Sequence, residues 1–549
     1  MQKWWCFLVV LALGVTMAFT GCGQSGSTDE GGEESMTAKC YNGNFKGVKE
    51  DNGVMAFKGI PYAKAPTGDL RWKAPEAVEE SDEEFDASEF GNSAIQTQWH
   101  SEAASYHTVS EDCLTLNVWT KDLKETNKPV MFYIHGGGYA WGGTADPLYN
   151  GKHMIEEHED MIVVTCNYRL GAMGFADFSD VPGGEAFPDS GHLGVLDLIQ
   201  GLKWVKQNIK SFGGDPENIT LFGESAGSGL ISTLLVVDEA QGLFQKAIAQ
   251  SGSLNLLCTK EEYDESGQTA LLLKQAGAKT MDDLMAIPEE KLIEIYRSYD
   301  KEGNCVGDIN NKPLRDGDFI PEDPYKALAN GASKDVKVMI GTNSDEFRYW
   351  INEQGDVEMS EMDEAGIQEN LKNFEDRFLA NKYNAAMDVA TKDEQKMLNE
   401  FLKIVDEDED IWKRTEMANE MCFRLPSIDT AYSHAKGGGD TYMYYFCKKS
   451  DNFDFIGSCH ASEVAYVFHN LDETIFSGTV DKGLADKMCS AWANFAKTGD
   501  PSIDDAQWTL YGDERDTMVI GDDCSMKTEK DPLKEQRELL APFVKYYLK

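Results

Sequence analysis

Ile219-Thr220-Leu221-Phe222-Gly223-Glu224-Ser225-Ala226-Gly227 decides the fold. A short apolar strand, Ile219 to Phe222, runs into a G-x-S-x-G pattern, and an apolar helix follows from Ala226. A serine attacks an ester best from a sharp strand-to-helix turn, where its side chain projects free of the sheet. The flanking glycines let strand and helix approach closely at such a strained turn. Upstream, Leu193, Leu196, Ile199, Leu202, Val205 and Ile209 recur at helical spacing. The turn residues Phe212-Gly213-Gly214-Asp215-Pro216 are expected to end that helix. Alone the motif is weak, because Gly and Ser are common residues.

Its surroundings strengthen it. Val130 to Ile134 reads as a buried strand and runs into His135-Gly136-Gly137-Gly138. Glycines there leave backbone N–H groups free to point at a developing oxyanion, which makes Gly137, Gly138 and Ala226 the candidate donors. Met161 to Cys166 is a second strand candidate. An acid and a histidine must then follow the serine in that order. After the strand Val336 to Ile340 comes Gly341-Thr342-Asn343-Ser344-Asp345-Glu346, and after Tyr442 to Phe446 comes Ser458-Cys459-His460-Ala461-Ser462-Glu463. His460 is the expected general base, taking the Ser225 proton and returning it to the leaving alcohol. Spacing does not choose between Asp345 and Glu346. His434 is a rival base, but Pro426 to Ala435 reads as a helix that buries it away from any strand end. Glu361 to Ala435 is mostly helical and forms an insertion able to roof a site. Short apolar runs alternating with amphipathic stretches predict an α/β fold, and the serine turn with the order Ser, acid, His makes the expected class an α/β-hydrolase fold with a central mostly parallel sheet and large helical insertions.

With these motifs in view, the chain resembles the type-B carboxylesterase family, which includes cholinesterases and bacterial para-nitrobenzyl esterases. The resemblance extends from Thr37 onward, through Gly59-Ile60-Pro61-Tyr62-Ala63, Leu70-Arg71-Trp72, Glu111-Asp112-Cys113-Leu114, Asn167-Tyr168-Arg169-Leu170-Gly171 and Gln250-Ser251-Gly252-Ser253. It implies a triad of Ser225, Glu346 and His460, an oxyanion hole of Gly137, Gly138 and Ala226, an acyl-enzyme intermediate, and no cofactor or metal. The implied substrate is a small-molecule ester; amides and thioesters fit the same triad. Relatives that act in adhesion lack the triad, whereas all three residues are present here. Glu224, beside the nucleophile, is either a buried carboxylate modulating the site or structural.

Four residues depart from the family pattern: Phe347 stands for a Gly after the acid, His192 for a frequent Asn, Leu198 for a frequent Gln, and Ala94 for a Cys. In the family that Cys pairs with the one at Cys113. Cys113 is therefore expected to be free and buried, with the loop Ile95 to Asp112 untied; a bridge to Cys40 is the alternative. Trp99, Tyr106, Trp141, Phe187, Phe347 and Trp350 are candidate pocket aromatics, or ordinary core.

The chain has 549 residues, 41% hydrophobic and 11% aromatic, ample for a large core. With 51 Lys and Arg against 95 Asp and Glu, its net charge of −44 repels nucleic acids. The charge suits solubility after export, or steering of a cationic substrate. Lys3 and the apolar run Trp4 to Leu13 read as a signal peptide, the run being too short to span a bilayer. Phe19-Thr20-Gly21-Cys22 resembles the lipobox of bacterial lipoproteins, with Phe19 where Leu is more usual. Residues 1–21 are thus expected to be a signal peptide and 22–36 a lipidated Cys22 with a flexible tether. Residues 37–549 are expected to be one catalytic domain. The protein would be exported and held at the membrane by lipid, plain secretion being the alternative. The twelve cysteines form no C-x-x-C pair or zinc-type cluster. Nothing in the sequence signals oligomeric state.

Overall fold

The computed structural model describes residues 36–97, 108–124, 127–301, 303–307, 312–354, 364–379, 390–405, 407, 409–452, 455–473 and 476–546. The chain divides into Met1–Ser35 and Met36–Lys549, and every described residue belongs to the second unit. The expected signal peptide, tether and Cys22 therefore lie outside the described residues. No helix among the described residues is long and apolar enough to cross a membrane.

One sheet of eleven strands organises this unit. From one edge to the other the strands are Val48–Lys49, Met55–Pro61, Thr115–Thr120, Ile162–Cys166, Lys128–Ile134, Gly214–Glu224, Lys246–Gln250, Lys337–Asn343, Thr441–Phe446, Asp516–Ile520 and Met526–Lys530. The run from Ile162–Cys166 to Asp516–Ile520 is parallel, and the pairs flanking it are antiparallel. This is the α/β-hydrolase arrangement expected from the sequence.

Both faces of the sheet are covered, because successive strand side chains point to opposite sides. Val130, Phe132 and Ile134 join one core, which also takes Val195, Leu198, Ile199, Leu202 and Val205 of the helix Leu193–Asn208. Met131 and Tyr133 join the other, with Leu484, Met488, Trp492 and Phe495 of the helix Lys482–Thr498. Leu198 is fully buried in the first core, where the Gln frequent in the family would need a polar partner.

The strand leading to Ser225 starts earlier than its apolar run suggested. Gly213, at φ 87, alone makes the turn, and the strand begins at Gly214. Gly214 pairs with Lys128, and the shift in register between Lys128 and Val130 absorbs the polar stretch before Ile219. Glu361 to Ala435 is mostly helical where described: Glu364–Asn373, Lys392–Ile404, Asp410–Asn419 and Leu425–Lys436 are α-helices, and Phe374–Leu379 and Glu420–Arg424 are wider π turns.

Candidate active site

Neighbouring parallel strands deliver the candidate residues to one edge of the sheet. Lys128–Ile134 ends at the glycine triplet, Gly214–Glu224 at Ser225, Lys337–Asn343 just before Glu346, and Thr441–Phe446 precedes the loop to His460. In register, Ile134 lies opposite Gly223, Gln250 opposite both Glu224 and Gly341, and Asn343 opposite Phe446. These C-terminal ends therefore finish at one level. Open parallel sheets carry their sites there.

Ser225 has φ 56 and ψ −123, a conformation that L-residues rarely adopt. Such strain costs about 1–3 kcal/mol and persists only where the surroundings impose it. Here the Ser225 N–H donates to Gln250 O at 2.8 Å, and Ser225 O accepts from Gly229 N–H at 2.9 Å. The glycines on either side have no room for a side chain. A Cβ on Gly223 would stand 2.4 Å from Ile134 O, and one on Gly227 2.0 Å from the same atom.

The glycine loop is pinned at both ends. Tyr168 Oη donates to His135 O at 2.9 Å, and the two rings stack with centroids 4.6 Å apart. Gln96 and Gly142 exchange two hydrogen bonds of 2.9 Å. Tyr168 is held in turn by its neighbour, since Arg169 forms a buried two-pronged pair with Asp197 at 2.8 and 2.6 Å. Removing one partner of such a pair typically costs about 3–5 kcal/mol, because the other charge is stranded. Neither the Gly137 nor the Gly138 N–H donates to an acceptor among the described residues. Ala226 opens the helix Ala226–Leu234, where an N–H has no acceptor within the helix. These three amides are thus available to a ligand.

Contact distinguishes the two acids. His460 Nδ1 lies 2.6 Å from Glu346 Oε2, while Glu346 Oε1 accepts from the Asn343 N–H at 2.8 Å. Asp345 points elsewhere, toward Ser458 and Arg348. His434 is buried in its helix as expected, but it does meet a strand end: its ring nitrogens lie against Ser333 O and Thr441 Oγ1, at the start of the strand Thr441–Phe446 and opposite the end that leads to His460.

The second nitrogen of His460 faces Glu224, with Nε2 3.0 Å from Oε1. Nε2 makes no hydrogen bond among the described residues, to Ser225 or any other group. Such bonds often tighten only when substrate arrives. Burial pulls the His460 imidazole down, but the Glu224 and Glu346 carboxylates outweigh it, and the group ends above its ordinary value. Burial pushes Glu224 up, and the His460 charge only partly counters it. Behind them Glu463 is also raised, by burial first, although Gln250 and Asn343 both donate to it.

Aromatic rings enclose the imidazole. Trp350 stacks on it at 5.2 Å, Phe423 lies at 4.9 Å, and Tyr349 meets it edge-on at 5.8 Å. Phe423 comes from the helical insertion, which therefore does cover the site. Of the expected pocket aromatics, Trp350 is at the site. Phe347 lies one layer behind, buried with Ile351, Phe374 and Ala418. Phe187 is core, packed with Trp72, Phe178 and Leu193. Trp141 is half-buried beside the glycine loop, its carbonyl close to Gly137. Trp99 and Tyr106 lie outside the described residues. Tyr349, Phe423 and Asn419 were not singled out from the sequence, because none sits in a motif, and Tyr168 was read only as part of the stretch Asn167 to Gly171 with no role given to it.

Cys113 is a free, buried thiol, as the missing partner at Ala94 implied, and Cys40 is also free. His192 is structural, with Nε2 3.0 Å from Leu314 O. Among the described residues, Glu157, His469 and Asp486 are the group of side chains that could face one cation. Its Asp486 carboxylate is already taken by Lys482 at 2.6 Å and His469 at 2.7 Å.

Comparison with known proteins agrees with this geometry. The carboxylesterase family model matches residues 35–538. Para-nitrobenzyl esterase of Bacillus subtilis (strain 168) is 34% identical over 513 residues, covering 91% of this chain and 97% of that protein. Cholinesterase of Mus musculus is 29% identical, covering 87% of this chain and 81% of its own. A solved carboxylesterase of Geobacillus stearothermophilus superposes with a TM-score of 0.76 at 30% identity, over 92% of this chain and 99% of that one. A match of this extent in both sequence and structure makes the chain a member of the carboxylesterase family, a serine hydrolase of carboxylic esters.

Proposed function

We propose that Ser225 is the nucleophile, His460 the general base and acid, and Glu346 the carboxylate that orients and stabilises the imidazolium. The 2.6 Å contact between His460 and Glu346, beside the strained Ser225 turn, carries this reading. Ser225 Oγ attacks the ester carbonyl as His460 Nε2 takes its proton. The oxyanion is received by the N–H groups of Gly137, Gly138 and Ala226. His460 then protonates the leaving alcohol, and an acyl group remains on Ser225. Water, deprotonated by the same imidazole, attacks the acyl group; the acid leaves and Ser225 recovers its proton.

The pH dependence tests these roles. His460 must be uncharged to accept a proton, and the adjacent carboxylates hold its value up. With a para-nitrophenyl acyl ester, kcat/KM is expected to rise with pH through a midpoint above the ordinary imidazole value of 6.5. The Glu224 charge is the largest single upward pull, so Glu224→Gln should move that midpoint down. A profile flat from roughly pH 6 to 9 would remove His460 as the base.

We also propose export with a lipid anchor on Cys22, from the signal-like N-terminus and the sequence around that Cys. Two acyl chains, at about 0.8 kcal/mol per buried CH₂, would hold the enzyme firmly at a membrane. Cys22→Ala should release the activity from washed membranes or block processing. Native enzyme found free in the medium, its N-terminus unmodified, would exclude the anchor.

A further inference from the structure

The segment bearing Glu346 and the segment bearing His460 are tied together by a side chain that contacts neither of those two. Asp345 N–H donates to Ser458 O at 3.0 Å, and Asp345 Oδ2 accepts the Ser458 N–H at 2.9 Å. Ser344 Oγ donates to the same Oδ2 at 2.7 Å. Gly457, at φ 58, makes room for this contact: a Cβ there would stand 2.6 Å from the Asp345 carboxyl carbon. One residue beyond Asp345, the bond from His460 N–H to Glu346 O, at 3.3 Å, continues the same pairing of the two segments.

Arg348 fixes Asp345 from its other side, with Nε 2.9 Å from Oδ1. The same guanidinium donates to Phe455 O at 3.3 Å and to Glu407 at 2.7 Å, and stacks over Trp412 at 4.6 Å. It therefore reaches the His460 segment and the helical insertion at once. Asn419 of that insertion accepts from Phe347 N–H at 2.8 Å and donates to Ser344 O at 3.0 Å, holding the acid segment from above.

We propose that Asp345, locked by Arg348, is a positioning residue for ester hydrolysis: it latches the His460 segment to the Glu346 segment and so sets the contact between those side chains. This rests on the roles proposed for Glu346 and His460. A shift of about 1 Å in such a constellation can cost on the order of 100-fold in rate. Asp345→Ala is therefore expected to lower kcat by about 100-fold, with KM changed by less than about threefold. Asp345→Asn keeps an acceptor for the Ser458 N–H and should recover activity to within about tenfold of the native enzyme.

A double-mutant cycle with a para-nitrophenyl ester separates positioning from a general structural role. If Asp345 acts through the Glu346–His460 contact, adding Asp345→Ala to Glu346→Gln should cost no more than about threefold beyond Glu346→Gln alone. Losses that multiply in the double variant, or native kcat in Asp345→Ala, would overturn the proposal. Native turnover in Glu346→Gln would instead overturn the triad assignment, whatever Asp345→Ala does. Should Asp345→Ala fail to fold, Arg348→Met takes its place in the cycle. The same overlap with Glu346→Gln is expected, and multiplying losses or a native kcat would again count against the latch.

Discussion

Ser225→Ala is expected to lower kcat for ester hydrolysis by on the order of 10⁶, the scale seen when a triad nucleophile is removed. What remains should come from the amides of Gly137, Gly138 and Ala226 acting on a directly attacking water. Folding should hardly change. Ala at this position keeps the same Cβ at φ 56, so the backbone strain is neither added nor relieved. The anchoring bond from the Ser225 N–H to Gln250 O belongs to the backbone and survives. Turnover of a para-nitrophenyl ester and a thermal melt on the same preparation check both statements. A folded variant keeping a tenth of the native rate would mean that another group attacks the ester.

Glu346→Gln should reduce kcat by about 10⁴, for a reason the hydrogen bonds make specific. One oxygen of Glu346 serves the Asn343 N–H and the other faces His460 Nδ1. In the Gln variant only the carbonyl oxygen can accept from Asn343, which turns the amide NH₂ toward Nδ1. The imidazole must then carry its proton on Nε2, the tautomer unable to accept one from Ser225. Asp345→Asn should be much milder, since Asp345 sits against Ser458 and Arg348. Losses of equal size in the two variants, both folded, would reassign the acid.

Much of this site was legible because its chemistry rides on short patterns at strand ends. Gly223, Ser225 and Gly227 are dictated by one tight turn, so their spacing is local and visible. His460 and the acid follow from the order that the fold imposes on strands. Between Asp345 and Glu346 spacing was silent, because adjacent residues leave a strand end in different directions and only the tertiary contacts show which way each turns. Phe423, Tyr349 and Tyr168 were given no role for the same reason: what makes them part of the site is the docking of distant segments. Phe187 was left open between pocket and core and belongs to the core, since an aromatic side chain looks alike in sequence whether it lines a cleft or fills a core. The strand before Ser225 was read too short because Gly-Gly-Asp-Pro normally signals a turn, and here a register shift carries the strand through it.

The order of the strands within the sheet differs from the order in which they leave the ribosome. The oxyanion loop near residue 137 and the serine at 225 are made long before the histidine at 460, yet all depend on neighbouring strands. A growing chain therefore carries the proposed nucleophile, Ser225, for more than two hundred residues of synthesis before the proposed base, His460, is made. Pairings between such distant segments are slow to form, because a long loop must close before any contact rewards it. The proposed triad therefore needs the pairing of Thr441–Phe446 with Lys337–Asn343, which sets the His460 segment beside the Glu346 segment. Recovered turnover during refolding is therefore expected to report this long-range pairing and not burial of the core alone.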